Sequence, residues 1–174
     1  MEHDNKLILL QAKWDEYRRF QNLCCVDSMP AVVGPCWTAA IQSVDGLGLD
    51  SADAAFIGYS YAFRNNSCRL TAIPELWQWG MRGRMAYLNR HVRCLTRIMV
   101  RPEYRGQGIA SKMIMATLPL LGVTFVECLT FTEGIARILE RCGFQKYGRT
   151  GGMNCDYYLW SKLRVKGHKD STAL

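Results

Sequence analysis

The hydrophobic pattern of this chain switches repeatedly between compact apolar runs and apolar positions at helical spacing. Leu7 to Leu10 is a run of the first kind and predicts a strand, whereas Trp14, Tyr17, Gln21 and Cys24 recur at helical spacing. Cys36 to Val44 and Ala54 to Phe63 read as a strand pair. The loop between them, with Gly46, Gly48, Asp50 and Asp53, is polar and turn-rich. Leu95 to Val100 is the next apolar run, and Pro102 stops it by withholding an amide from the ladder. From Ile109 a helix is expected, with Ile109, Met113, Ala116 and Leu120 on one face. Ile114, Met115 and Leu118 are apolar on others, so the helix is expected to be well buried until Pro119 and Gly122 end it. Val123 to Thr130 reads as a buried strand with a single charge, Glu127. Thr132 can cap a short helix carrying Ile135, Ile138, Leu139 and Cys142, and Gly143 suits its stop. Phe144 to Tyr147 and Met153 to Trp160 read as two last strands joined by the turn Arg149 to Gly152.

Composition changes the picture only at its edges. With 174 residues, 49% of them apolar, the chain is expected to form one domain over residues 1–161, followed by a basic, fraying tail over 162–174. No apolar run is long enough to span a bilayer, and Glu2 and Asp4 stand where a secretory leader would be basic, so a cytoplasmic protein without membrane contact is expected. Eight cysteines are present but no Cys-x-x-Cys pair, and His91-x-x-Cys94 is the only close ligand-like spacing. Reduced cysteines serving as small core residues, and no metal, are the expectation.

Candidate chemistry centres on the step from the Leu95–Val100 run into the Ile109 helix. A strand that breaks into a helix through Gly106 and Gly108 leaves several backbone amides aimed at one spot, with the positive end of the helix dipole behind them. That is an anion site. A nucleoside-triphosphate loop is excluded because no lysine and hydroxyl follow Gly108, and the dinucleotide fingerprint lacks its third glycine, where Ser111 sits. What remains, Arg105-x-x-Gly108-x-Ala110 after a strand ending in Val-x-Pro, resembles the pyrophosphate-binding motif of the GCN5-related N-acetyltransferase (GNAT) superfamily. The resemblance covers roughly Leu88 to Trp160 and implies an α/β fold whose twisted mixed sheet splays at the acyl-CoA site, with helices on both faces. It implies acetyl-CoA, or another acyl-CoA, as co-substrate. Arg105, Gly106, Gln107, Gly108, Ile109 and Ala110 would hold the pyrophosphate, and the backbone of Ile98, Met99 and Val100 would serve the thioester carbonyl.

Acyl transfer to an amine needs a neutral nucleophile, a held oxyanion and a proton for the leaving thiolate. The family's usual acid is a tyrosine four residues before a Gly-Phe pair, and here Gly143-Phe144 puts Leu139 at that place; Thr132 replaces a frequent asparagine. Tyr147, Tyr157 or Tyr158 could substitute, with Cys142 less suited because it reads as core. Glu127 is the candidate base, since a charge in a buried strand needs a partner or a role. A salt bridge from Glu127 to Arg97 on the neighbouring strand is the equally weighted alternative, and Arg97 must otherwise line the cleft.

Residues 64–93 form a long connection read as an insert, in which Trp77, Trp79 and Tyr87 stand among Arg64, Arg69, Arg82, Arg84, Arg90 and Arg93. Net charge is +7. Arginines interleaved with tryptophans suit phosphate contact and base stacking, although a basic surface also suits polyanionic coenzyme A. Leu88-Asn89-Arg90, Thr96 to Val100 and Leu118 to Val123 with Val126-Glu127 resemble acetyltransferase-like domains associated with bacterial ATP-binding-cassette ATPases, and Arg97 within its strand resembles the phage Mom-like members. The expected function is an acyl-CoA-dependent N-acyltransferase. The alternatives are a Mom-like modifier of a base amine in DNA and a non-catalytic module binding acyl-CoA or nucleic acid.

Overall fold

The computed structural model describes residues 6–24, 33–42, 49–63, 66–151 and 154–165. Two compact units make it up, Met1–Ser60 with Leu95–Leu120, and Tyr61–Cys94 with Leu121–Leu174. Gly46 and Gly48 of the expected polar loop, Arg64, Gly152 and Met153 of the last expected turn, and the tail beyond Val165 lie outside the described residues.

In the first unit the strands run in the order β1 (Lys6–Ala12), β2 (Val33–Gln42), β3 (Leu49–Tyr61) and β4 (Val92–Val100), the last contributing its residues from Leu95 onward. β1 and β2 pair antiparallel with Lys6 opposite Gln42 and Ala12 opposite Cys36, and β2 pairs antiparallel with β3 through Trp37 opposite Ile57. Ala39, Ala40, Ala54 and Ala55 are fully buried. The helical spacing after β1 becomes a 3-10 helix, Trp14–Leu23, which buries Tyr17 and Phe20 against Cys36, Phe56 and Met99.

β4 leads through a short 3-10 turn, Pro102–Tyr104, to helix α3 (Ile109–Thr117), numbered third because two helices precede it: α1 (Ser67–Ala72) and α2 (Met81–His91). The α3 expectation needs one correction. Its buried residues are Ile109, Met113, Ile114 and Thr117, while Met115 and Leu120 are exposed. Ala116 is exposed as well, and the helix tightens to 3-10 geometry from Leu118 to Leu121. The Thr117 hydroxyl bonds the Met113 carbonyl at 2.7 Å and meets the Tyr59 hydroxyl at 2.7 Å, which fixes the far end of α3 to β3.

The second unit has the strand order β4 (here Val92–Cys94), β5 (Phe125–Thr130), β7 (Asp156–Ser161) and β6 (Gln145–Arg149). β5 and β7 pair antiparallel with Glu127 opposite Leu159. The β6–β7 register shifts between Lys146 and Gly148, where Gly148 has φ +146°. The connection read as an insert contributes to the core. Its segments α1, a 3-10 turn Pro74–Gln78, and α2 bury Cys68, Ala72, Ile73, Leu76 and Leu88 against Val92, Phe125, Tyr157 and Leu159. α4 (Glu133–Arg141) stops as expected at Gly143, φ +85°, where the Gly143 and Phe144 amides return to the Glu140 and Leu139 carbonyls. Thr132 stands at its N-cap, but its hydroxyl meets Thr130 and caps no helix amide. The start of the tail, Lys162–Val165, is a helical turn, α5.

Candidate functional site

In the first unit, the candidate anion loop follows β4. Val100 is the last strand residue, and the Arg105 Nε returns to its carbonyl at 3.0 Å, which folds the loop back on the strand end and leaves the terminal guanidinium nitrogens outside that bond. Gly106 and Gly108 have φ +81° and +72°, a left-handed conformation that a side chain disfavours. Gly108 is the N-cap of α3, and the Lys112 amide makes the bond to its carbonyl at 3.0 Å. Helix geometry leaves the first-turn amides without an intrahelical acceptor. A Cβ built at either glycine meets nothing within 4 Å, so the space in front of the loop is open. Gly106, Gln107 and Gly108 are exposed, and Ile109 is buried and roots the helix. Within β4, Met99 is buried in the aromatic cluster while Ile98 and Val100 are half-buried.

Arg97 is held in the same unit by Tyr17. Its Nε meets the Tyr17 hydroxyl at 3.4 Å, its Nη1 the Thr96 carbonyl at 2.7 Å, and the guanidinium lies 5.6 Å from the Tyr17 ring centroid.

In the second unit, Glu127 is 1% exposed and takes Arg69 as its ion partner, which corrects the expected bridge to Arg97. Arg69 Nε donates to one carboxylate oxygen at 2.8 Å and Nη2 to the other at 2.7 Å, a bidentate fork. The Tyr157 hydroxyl adds a third donor at 3.0 Å. Burial opposes the Arg69 charge, but the carboxylate outweighs it and the guanidinium pKa is raised. Tyr157 is also raised, by burial first and by the Glu127 charge. Both carboxylate oxygens are thus engaged by donors of this chain.

The other tyrosines differ. Tyr158 is buried and donates to Glu140 at 3.2 Å, and burial with that bond raises its pKa. Tyr147 is half-buried, bonds Gln145 at a long 3.4 Å, and lines a cavity of about 150 Å³ with Glu75 and Ser161. Leu139 is completely buried, which excludes that position from solvent chemistry. Cys142 is buried as expected.

Sequence reasoning missed Arg69 because it sat among residues read as an aromatic and arginine-rich insert; its flanking Cys68 and Leu70 were the available signal. Two more arginines of that segment are committed internally. Arg84 Nε donates to the Leu76 and Trp79 carbonyls, both at 2.8 Å, and Arg93 bonds the Asn89 and Val92 carbonyls and covers the Tyr61 ring. Trp77 is 65% exposed, and the Arg84 guanidinium lies 5.8 Å from its ring centroid. Among the described residues no group of three or more His, Cys, Asp and Glu could hold a metal ion, and no helix is long and apolar enough to cross a membrane.

The family model for the acetyltransferase (GNAT) domain matches residues 76–146, a span that includes α2, β4, the glycine loop, β5 and α4. No curated protein matches the sequence. Among solved structures, the chain is similar to Arabidopsis thaliana NAA60 in complex with acetyl-CoA, at 12% identity and a TM-score of 0.57, covering 91% of this chain and 99% of that one. It is similar to the aminoglycoside acetyltransferase AAC(6')-Ib in complex with coenzyme A, at 12% identity and a TM-score of 0.60, covering 95% and 100%. A mutant spermidine N-acetyltransferase, SpeG, from Vibrio cholerae is similar at 12% identity and a TM-score of 0.56, covering 92% and 96%. Residues 76–146 thus match an acetyltransferase (GNAT) domain, and the chain carries the fold of these acetyltransferase structures.

Proposed function

We propose that this chain is an acyl-CoA-dependent N-acyltransferase whose Arg105–Ala110 loop receives the pyrophosphate of the acyl-CoA. The observation that carries the reading is the pair Gly106 and Gly108 at positive φ ahead of α3, with Arg105 folded back on Val100 and open space in front. The acetyltransferase domain match and the fold likeness to structures holding acetyl-CoA or coenzyme A support it. When bound, the acyl-CoA supplies the thioester. Ile98, Met99 and Val100 present main-chain donors for its carbonyl, and the loop amides with Arg105 neutralise the phosphates. Glu127 acts as a positioning group that holds α1 to β5. Tyr147, the most accessible of the three tyrosine candidates, gives the thiolate its proton, and Tyr158 is the reserve.

The acceptor is an amine. An amine on a nucleic-acid base is the second acceptor class, favoured by the exposed Trp77 ring and weakened by the internal bonds of Arg69, Arg84 and Arg93. Calorimetry with acetyl-CoA tests the core of the reading. Gly108→Asp sets a carboxylate where the phosphates bind and should abolish the heat of binding while circular dichroism stays native. Unchanged affinity in that variant overturns the assignment. Nucleoside mass spectrometry of DNA and RNA from expressing cells decides the acceptor class.

A further inference from the structure

A cavity of about 210 Å³ opens within the second unit between α1, the Pro74–Gln78 turn and α2. None of its lining residues belongs to the glycine loop, and it has no part in the acyl-transfer reading. Leu70, Leu76, Met85 and Leu88 make its wall apolar, and Met81 stands exposed beside them. Its charge is uneven. Arg69 lines it, but Glu127 already neutralises that guanidinium. Arg84 also lines it, with its guanidinium 5.8 Å from the Trp77 ring centroid, and the ion pairs among the described residues do not include it. Its Nε is fixed by the Leu76 and Trp79 carbonyls, both at 2.8 Å, so the guanidinium is preorganised and its two terminal nitrogens make no bond among the described residues. Among the described residues no carboxylate lines the cavity. The remaining polar lining is the Ser67 hydroxyl, which can donate or accept, and Asn66, whose Oδ1 accepts from the Cys68 amide and whose side-chain nitrogen can donate.

We infer that this cavity is a binding site for a small amphipathic carboxylate, its chain against Leu70, Leu76 and Met85 and its head on the terminal nitrogens of Arg84. Two parallel N–H donors on a rigid planar group match the two oxygens of a carboxylate. The apolar wall selects against inorganic anions, which would have to lose water there and gain no packing. The volume suits a ligand with a short chain, below the usual size of drug-like sites.

The test uses the full chain labelled with ¹³C at the methionine methyls, with hexanoate as probe and hexylamine and hexanol as controls. Hexanoate should shift the Met81 and Met85 methyl signals in a saturable way and leave Met99 and Met113, which belong to the first unit, in place. Arg84→Gln should weaken hexanoate by roughly ten- to a hundredfold, since it removes charge-assisted bonds. Because Arg84 also holds two backbone carbonyls, Met81→Asp provides a second variant. Met81 is exposed at the start of α2, where a carboxylate is favourable to the helix, so the fold should persist while hexanoate is repelled and Met85 no longer shifts. No saturable shift at Met85 in the unmodified chain overturns the inference. So does an equal response to hexanol or hexylamine, or undiminished hexanoate binding in a folded Met81→Asp protein.

Discussion

Arg69 and Glu127 lie 58 positions apart in the chain and are joined by two hydrogen bonds, of 2.8 and 2.7 Å, in a setting where both side chains are almost completely buried. One comes from α1 and the other from β5, so the pair ties a helix of the β3–β4 connection to a strand. An ion pair this deep contributes through geometry: its Coulomb energy mainly offsets the desolvation of its two charges, while removing one partner strands the other.

Glu127→Gln therefore acts on stability before it acts on chemistry. We expect it to lower the free energy of unfolding by about 3–5 kcal/mol, the usual effect of leaving one buried charge unpaired. The double replacement Arg69→Met with Glu127→Leu should recover most of that loss, because neither charge is then stranded. Denaturant titration of the single and double variants checks both values. If Glu127→Gln melts like the parent protein but turns over about 10²–10⁴-fold more slowly, Glu127 is the base and the positioning role is wrong.

Much of the second half of the chain was legible from its pattern, because its strands are short and apolar and its helices end on glycines. Gly143 stopped α4 where the sequence placed the stop, and Gly106 and Gly108, the glycines singled out in the sequence, have positive φ. The β3–β4 connection was misread for a physical reason. Arginine reads as solvent-facing on any local scale, and only the long-range partner of Arg69, and the carbonyls that receive Arg84 and Arg93, reveal these side chains as structural. The same limit hid the true partner of Glu127. A lone carboxylate in an apolar strand announces that a cation exists, and nothing local says which.

Gly58 on β3 makes a close approach that no larger residue allows. A Cβ there would come within 2.7 Å of the Trp14 ring and 2.9 Å of the Phe56 ring. Trp14 cannot easily withdraw, because its indole nitrogen donates to the Gly34 carbonyl at 2.6 Å and its ring meets Phe56 edge-on. Gly58→Ala should lower the free energy of unfolding by about 1–3 kcal/mol through overpacking, read from the denaturation midpoint. A midpoint equal to that of the parent protein would show that the Trp14–Leu23 helix gives way freely.

The buried thiols should be chemically silent. Burial pushes the Cys36 thiol up to about 11 and the Cys128 thiol up to about 12, with nearby Glu16 and Glu127 adding to the effect. At about pH 8 roughly a thousandth of Cys36 and a ten-thousandth of Cys128 is thiolate, the reactive form. Iodoacetamide on the native protein should leave the peptides carrying these two residues unmodified, whereas the same treatment in denaturant should alkylate both. The raised values also set a sign for stability. The folded state keeps both protons where the unfolded chain releases them, so this contribution is complete below about pH 9 and declines as pH climbs toward the folded values. Rapid native alkylation of Cys128 would contradict its burial in β5.

Tyr147 and Tyr158 can be separated by what each loses as phenylalanine. Tyr158 is buried and its hydroxyl donates to Glu140, so Tyr158→Phe should remove a structural hydrogen bond, about 1 kcal/mol of stability, and change turnover little. Burial, and then the bond to Glu140, raise its pKa, so the folded protein holds this proton above the ordinary tyrosine value of about 10. Stability linked to Tyr158 is then full below about pH 10 and falls as pH rises past it, a decline that Tyr158→Phe should flatten. Tyr147 has the opposite profile. It is half-buried, lines a cavity, and its bond to Gln145 is long, so it is the more accessible of the two. Tyr147→Phe should leave the melting curve almost unchanged and slow acetyl-CoA turnover by about 10²–10⁴-fold. Steady-state rates and thermal melts of both variants, measured with an amine that the parent protein accepts, decide the assignment. A rate loss confined to Tyr158→Phe would move the acid to Tyr158, and full turnover in both variants would mean that the thiolate leaves without a tyrosine proton.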